Sequence, residues 1–123
     1  MSLAIIVFGH GSRIESANES VRQAARELAL AGGIEHVEPA FLELGEPSLE
    51  GAVTRLMARG VYQIRVIPYF LTLGLHMERD LPRLVERISK THQGLLVEVA
   101  PPMDGHPALV TVLADRYRAL RNT

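Results

Sequence analysis

Residues 4–8 read Ala-Ile-Ile-Val-Phe and run straight into Gly9-His10-Gly11-Ser12-Arg13. A continuous Ile/Val-rich run stopped by a glycine turn is the pattern of a strand buried on both faces, as in a parallel sheet. This stretch restricts the possible folds more than composition does. Gly9 and Gly11 have no Cβ, so the backbone can turn sharply there and a bulky group can come close to His10. Taken alone, a histidine in such a turn has a structural reading as well as a functional one. What decides between them is the company the rest of the chain brings to it.

Strand one is predicted from Leu3 to Gly9. Ser12-Arg13-Ile14-Glu15 has the Ser-x-x-Glu spacing of a capping box. It precedes a helix from about Ser16 to Ala31, with Val21, Ala24, Ala25, Leu28 and Ala29 as its apolar stripe and Gly32-Gly33 as its stop. The segment 34–44 holds a second strand, and Pro39 implies an edge position or a bulge. Ser48 is a plausible N-cap for a helix running to about Arg59, with Leu49, Val53, Leu56 and Met57 inward. Val61 to Tyr69 is the third strand. Phe70 to Leu75 reads as an unusually apolar loop, followed by His76 and by a helix with Pro82 in its first turn that continues to about Thr91. Leu95 to Ala100 is the fourth strand, and a last helix spans about Pro107 to Leu120.

Strands alternating with helices through short loops mean a parallel sheet with helices on both faces. The expected fold is therefore α/β: a flavodoxin-like three-layer α/β/α domain covering residues 1–123, with a four-stranded parallel sheet in the order 2-1-3-4. In that order the winding reverses between strands one and three, and ligands bind beyond the carboxyl ends of the strands at such a point. His10 leaves strand one there, and His76 lies in the loop after strand three. Topology thus brings together two histidines that are far apart in sequence.

Composition narrows the chemistry. The formal net charge of the 123 residues is -1, so no global field draws the chain to nucleic acid or an anionic membrane. The absence of cysteine excludes disulfides, zinc ribbons and cysteine-bound iron–sulfur clusters. No apolar run approaches the roughly 20 residues that span a bilayer, and the first strand begins too early to leave room for a signal peptide. A cytoplasmic location is expected.

Glu43 falls at the carboxyl end of the second strand and Glu46 just after it. Two imidazoles with one or two carboxylates suit a first-row divalent ion such as Fe, Co or Ni, and the same groups exchange protons near neutral pH. Solvated surface carboxylates are the competing reading for both glutamates. The loop from Tyr69 to Met77 offers an apolar wall for a flat ligand, or equally a core or dimer contact. Arg13 and Arg79 flank the two histidines and can hold carboxylates bidentately, although surface charge alone also explains them. His36, His92 and His106 read as surface or structural residues, with His106 near the rim.

Four stretches in this order carry a family resemblance: Phe8-Gly9-His10-Gly11-Ser12-Arg13; Phe41-Leu42-Glu43-Leu44 with Pro47-Ser48; Ile67-Pro68 with Phe70-Leu71; and Gly74-Leu75-His76 with Asp80-Leu81-Pro82. Together they resemble the CbiX/SirB family of class II tetrapyrrole chelatases in its short form, over essentially the whole chain. The histidine-rich insert of some short archaeal members and the cysteines of the plant form are missing.

The resemblance implies a lyase that inserts a divalent metal, Co2+ first and Fe2+ or Ni2+ as alternatives, into sirohydrochlorin for cobalamin or sirohaem. It implies that His10 and His76 capture the metal and that Glu43 accepts pyrrole protons. The tetrapyrrole would be held by Arg13, Phe70, Leu71, Leu75 and Arg79. No prosthetic group is implied, since the metal is a substrate. A homodimer is implied, because longer members place the site between two such domains. A non-catalytic carrier of metal or tetrapyrrole is the alternative. Histidine phosphatase chemistry fits less well, because its signature is Arg-His-Gly and here Phe8-Gly9 precede His10.

Overall fold

The computed structural model describes residues 2–120. Its elements are β1 (Leu3–Gly9), α1 (Glu15–Gly32), β2 (His36–Phe41), α2 (Leu49–Ala58), β3 (Gln63–Pro68), α3 (Gly74–Thr91), β4 (Leu96–Val99) and α4 (Ala108–Ala119). The strands are all parallel, in the order β2-β1-β3-β4. This is the flavodoxin-like α/β arrangement expected above.

The reason β1 is so apolar is now visible. Ala4 through Gly9 are all buried, with Ala4, Ile6 and Phe8 packed on the side of α2 and α3 and Val7 on the side of α1. Leu49, Ala52, Val53 and Leu56 of α2 and Met77, Leu81, Val85 and Ile88 of α3 complete the larger cluster. Burying each Leu or Ile fully contributes about 1.5–3 kcal/mol, so this side dominates the core. Val21 and Ala25 of α1 meet Val7 and Phe41 on the other side. Pro39 is tolerated because β2 is an edge strand and pairs only with β1. Ser48 caps α2 as expected, its Oγ accepting the Gly51 N–H at 3.1 Å.

Three local expectations change. Ser12 and Glu15 form no capping box: α1 is preceded by Ile14 without a side-chain cap, Ser12 Oγ accepts the Ile14 N–H at 3.0 Å, and Glu15 pairs with Arg22. The third helix starts earlier than expected, at Gly74, so His76 sits in its first turn rather than in a loop, and Pro82 lies inside it on the exposed side. The buried spacing Met77, Leu81, Val85, Ile88 begins upstream of Pro82 and carries the helix through it. Finally, α4 buries none of its residues. The β3–β4 register sets Gln63 beside Leu96 and Arg65 beside Glu98. Arg65 pairs with Glu98 at 3.5 Å on an exposed surface.

Candidate functional site

The sheet order puts the ends of β1, β2 and β3 side by side. The backbone then stitches the following loops together: Leu42 N–H donates to Gly9 O at 3.0 Å, Glu43 N–H to His10 O at 3.2 Å, and Tyr69 N–H to Phe8 O at 2.7 Å. A cavity of about 350 Å³ opens at this edge, walled by His10, Leu42, Phe70, Leu75, His76 and Asp80, with the 72–74 turn and Met77 closing it. The two histidines predicted to share a crevice do share one.

Phe70 holds His10 in place. Its ring meets the imidazole edge-to-face, with centroids 6.0 Å apart, and meets Phe8 of the core in the same way at 6.0 Å. The apolar loop is therefore tied to the core at Phe70, while Leu75 is 86% exposed at the cavity mouth. Leu71, Arg13 and Arg79 are exposed and do not line the cavity. Arg79 instead lies 3.5 Å from the carboxylate of Asp80. Glu43 is also exposed and off the wall, although its backbone is tied to His10. Among the described residues, no group of three or more His, Asp or Glu is arranged to hold a metal ion. The chain therefore presents two imidazoles on the wall of an open cavity. His106 turns back on its own chain, Nδ1 accepting the Ala108 N–H at 3.0 Å.

Two features of the site escaped sequence reasoning. Asp80 is on the wall one helical turn after His76, a spacing that places both side chains on one face of α3; that i,i+4 relation was available in the sequence. Asn18 was not findable in this way. It is the one buried polar residue of the described core, and its three side-chain hydrogen bonds all go to the loops around His10. Its Oδ1 accepts the Ser12 N–H, and its Nδ2 donates to Ser12 O and to Leu44 O, each at 2.9 Å. Leu44 carries a positive φ of 55° to present that carbonyl. Gly11 is equally constrained: at φ +95° a Cβ there would lie 1.6 Å from Glu43 O. The β1–α1 and β2–α2 loops thus touch backbone to backbone, with Asn18 as the clamp.

Removing the clamp leaves three partly buried backbone groups without their side-chain partners, where a fully buried group costs about 1–3 kcal/mol when unsatisfied. Asn18→Ala is expected to destabilise the fold by about 2–4 kcal/mol, after allowing for water entering from the rim. Urea unfolding measures it, and a change below about 0.5 kcal/mol would show that the loops hold without Asn18.

The family model for CbiX matches residues 4–120. The chain is 32% identical over 114 residues to the chloroplastic sirohydrochlorin ferrochelatase of Arabidopsis thaliana, covering 93% of this chain and 51% of that protein. It is 37% identical over 83 residues to the sirohydrochlorin cobaltochelatase of Methanopyrus kandleri, covering 68% of this chain and 58% of that one. The chain thus spans little more than half the length of these relatives. Among solved structures, a putative cobalamin biosynthesis CbiX protein from Marinobacter aquaeolei VT8 superposes with a TM-score of 0.84 at 32% identity, covering 95% of both chains.

Proposed function

This chain belongs to the CbiX family, and on that premise we propose that it inserts a divalent metal ion into sirohydrochlorin, with Co2+ as first candidate and Fe2+ or Ni2+ as alternatives. The observation that carries the reading is the shared cavity of His10 and His76, walled by apolar Phe70, Leu42 and Leu75. Imidazole binds all three metals, so the donor set supports the reaction class and leaves the metal to experiment.

A free tetrapyrrole carries two central N–H protons, and both leave as the metal enters. The metal must also exchange water for ring nitrogens. In this reading His10 and His76 capture the hydrated ion, and its remaining water positions are exchanged for pyrrole nitrogens. Glu43, on the loop tied to His10, accepts the protons. Phe70 and Leu75 supply apolar contact for the ring face. The protein needs no prosthetic group, because the metal is consumed.

The same reading makes residues 1–123 one half of a homodimeric site. A volume near 350 Å³ lies at the low end of the roughly 300–1,000 Å³ typical of small-ligand pockets, and a macrocycle with eight carboxylates outgrows it. Leu75 at the mouth, Leu71 on the preceding loop, and Val110, Leu113 and Tyr117 along α4 are exposed apolar side chains of the kind an association between copies covers. No helix among the described residues is long and apolar enough to cross a membrane. The reading places the reaction in the cytoplasm, which the lack of cysteine suits.

Mixing the protein with sirohydrochlorin and each metal in turn, and following the tetrapyrrole absorbance, tests the activity. Catalytic turnover above the spontaneous rate is expected. A single stoichiometric binding step without turnover would point to a carrier. Sedimentation of the same sample should give a dimer at micromolar concentration, and a fully active monomer would overturn the shared-site reading.

A further inference from the structure

The His10/His76 cavity does not end at Asp80. A second cavity of about 340 Å³ shares Leu42, Met77 and Asp80 with it and continues along α3 past Leu84 to Arg83 and Arg87. We propose that Arg83 and Arg87 form the subsite that binds peripheral carboxylates of the tetrapyrrole, an inference that rests on the chelatase reading above.

The charge arrangement supports it. The two acids nearest these arginines along the sequence of α3 each pair with another cation: Asp80 with Arg79 at 3.5 Å, and Glu86 with Lys90 at 2.8 Å. The Lys90 hydrogen bond holds the Glu86 carboxyl below its usual range. Arg83 and Arg87 make no ion pair or side-chain hydrogen bond among the described residues. Two exposed guanidiniums without carboxylate partners, one turn apart on a cavity wall, are built to receive anions bidentately.

Their spacing suits this substrate. At 1.5 Å per residue, Arg83 and Arg87 lie about 10 and 16 Å along α3 from His76. If His76 marks the ring centre, where the metal enters, these arginines stand out towards the rim, where the carboxylate arms are. Arg13 and Arg79, which sequence spacing put forward for this task, line neither cavity.

The test measures sirohydrochlorin binding without metal, by quenching of its fluorescence, and then steady-state metallation, for wild type and for Arg83→Ala, Arg87→Ala and the double variant Arg83→Glu/Arg87→Glu. Each alanine variant is expected to weaken tetrapyrrole binding and raise its KM about five- to tenfold, consistent with loss of a partly exposed charge-assisted hydrogen bond. kcat and the apparent metal affinity should be retained. The double reversal should weaken binding by more than 100-fold, and its remaining affinity should respond less to added salt than wild type does. Arg55→Ala, at an exposed arginine on α2, is the control for generic charge. Unchanged binding in both alanine variants, or an equal loss in Arg55→Ala, would overturn the subsite. If wild type itself neither bound nor metallated sirohydrochlorin, the chelatase reading would fall first, and this subsite with it.

Discussion

His10→Ala and His76→Ala are each expected to lower the initial rate of sirohydrochlorin metallation by more than about 100-fold, since even the outer-shell partners of metal ligands are worth 10–100-fold. The fold should survive both changes. His10 and His76 are exposed, and the packing at risk is the edge contact of His10 with Phe70. A thermal unfolding midpoint close to wild type, together with the lost rate, separates metal capture from folding. The two variants should also lose Co2+ affinity in the absence of tetrapyrrole. Near-wild-type metallation in both would remove the imidazoles from the reaction.

Glu43→Gln is the second large effect expected. Glutamine keeps size and hydrogen bonding but cannot accept a proton at neutral pH. If Glu43 is the base, kcat should fall by about the 10²–10⁴-fold typical of general-base loss, while tetrapyrrole affinity is kept. Its side chain is exposed and does not line the cavity, although its backbone is tied to His10, so metal binding is the competing role to separate. Initial rates against metal concentration, at saturating sirohydrochlorin, do so: a base loss persists at high metal, and a ligand loss is rescued. Asp80→Asn is the comparison, because Asp80 is the acid on the wall. A larger fall there than in Glu43→Gln would move the proton-accepting role to Asp80.

Residue spacing alone made much of this molecule legible. The apolar run 4–8 announced a doubly covered strand, and β1 is that strand. The strand and helix periodicities with right-handed crossovers leave few arrangements, and the expected flavodoxin-like one is the β2-β1-β3-β4 order observed. That order was enough to pair His10 with His76 across 66 residues, because neighbouring parallel strands deliver their loops to the same edge. Pro82 resembles a first-turn residue, yet α3 begins at Gly74 because the buried stripe ahead of the proline keeps the helix intact.

What spacing determines is which residues share a face or an edge, since helical and strand periods are properties of the local backbone. Which of those residues touch is settled by packing between segments that are distant along the chain. Arg13 and Arg79 sit next to the histidines in sequence, yet line neither cavity. Arg83 and Arg87, further along α3, line the continuation of the site because that groove passes beside Leu42 from another loop. Asn18 reads as an ordinary polar helix residue until the fold sets Ser12 and Leu44 against it. α4 carries Val110, Leu113 and Tyr117 yet buries no residue, which its local pattern alone does not show. Local pattern therefore determined the fold and its two histidines. Tertiary contact decided what holds them and which side chains line the groove beside them, because hydrogen bonds and packing contacts act over a few ångströms between segments that only folding brings together.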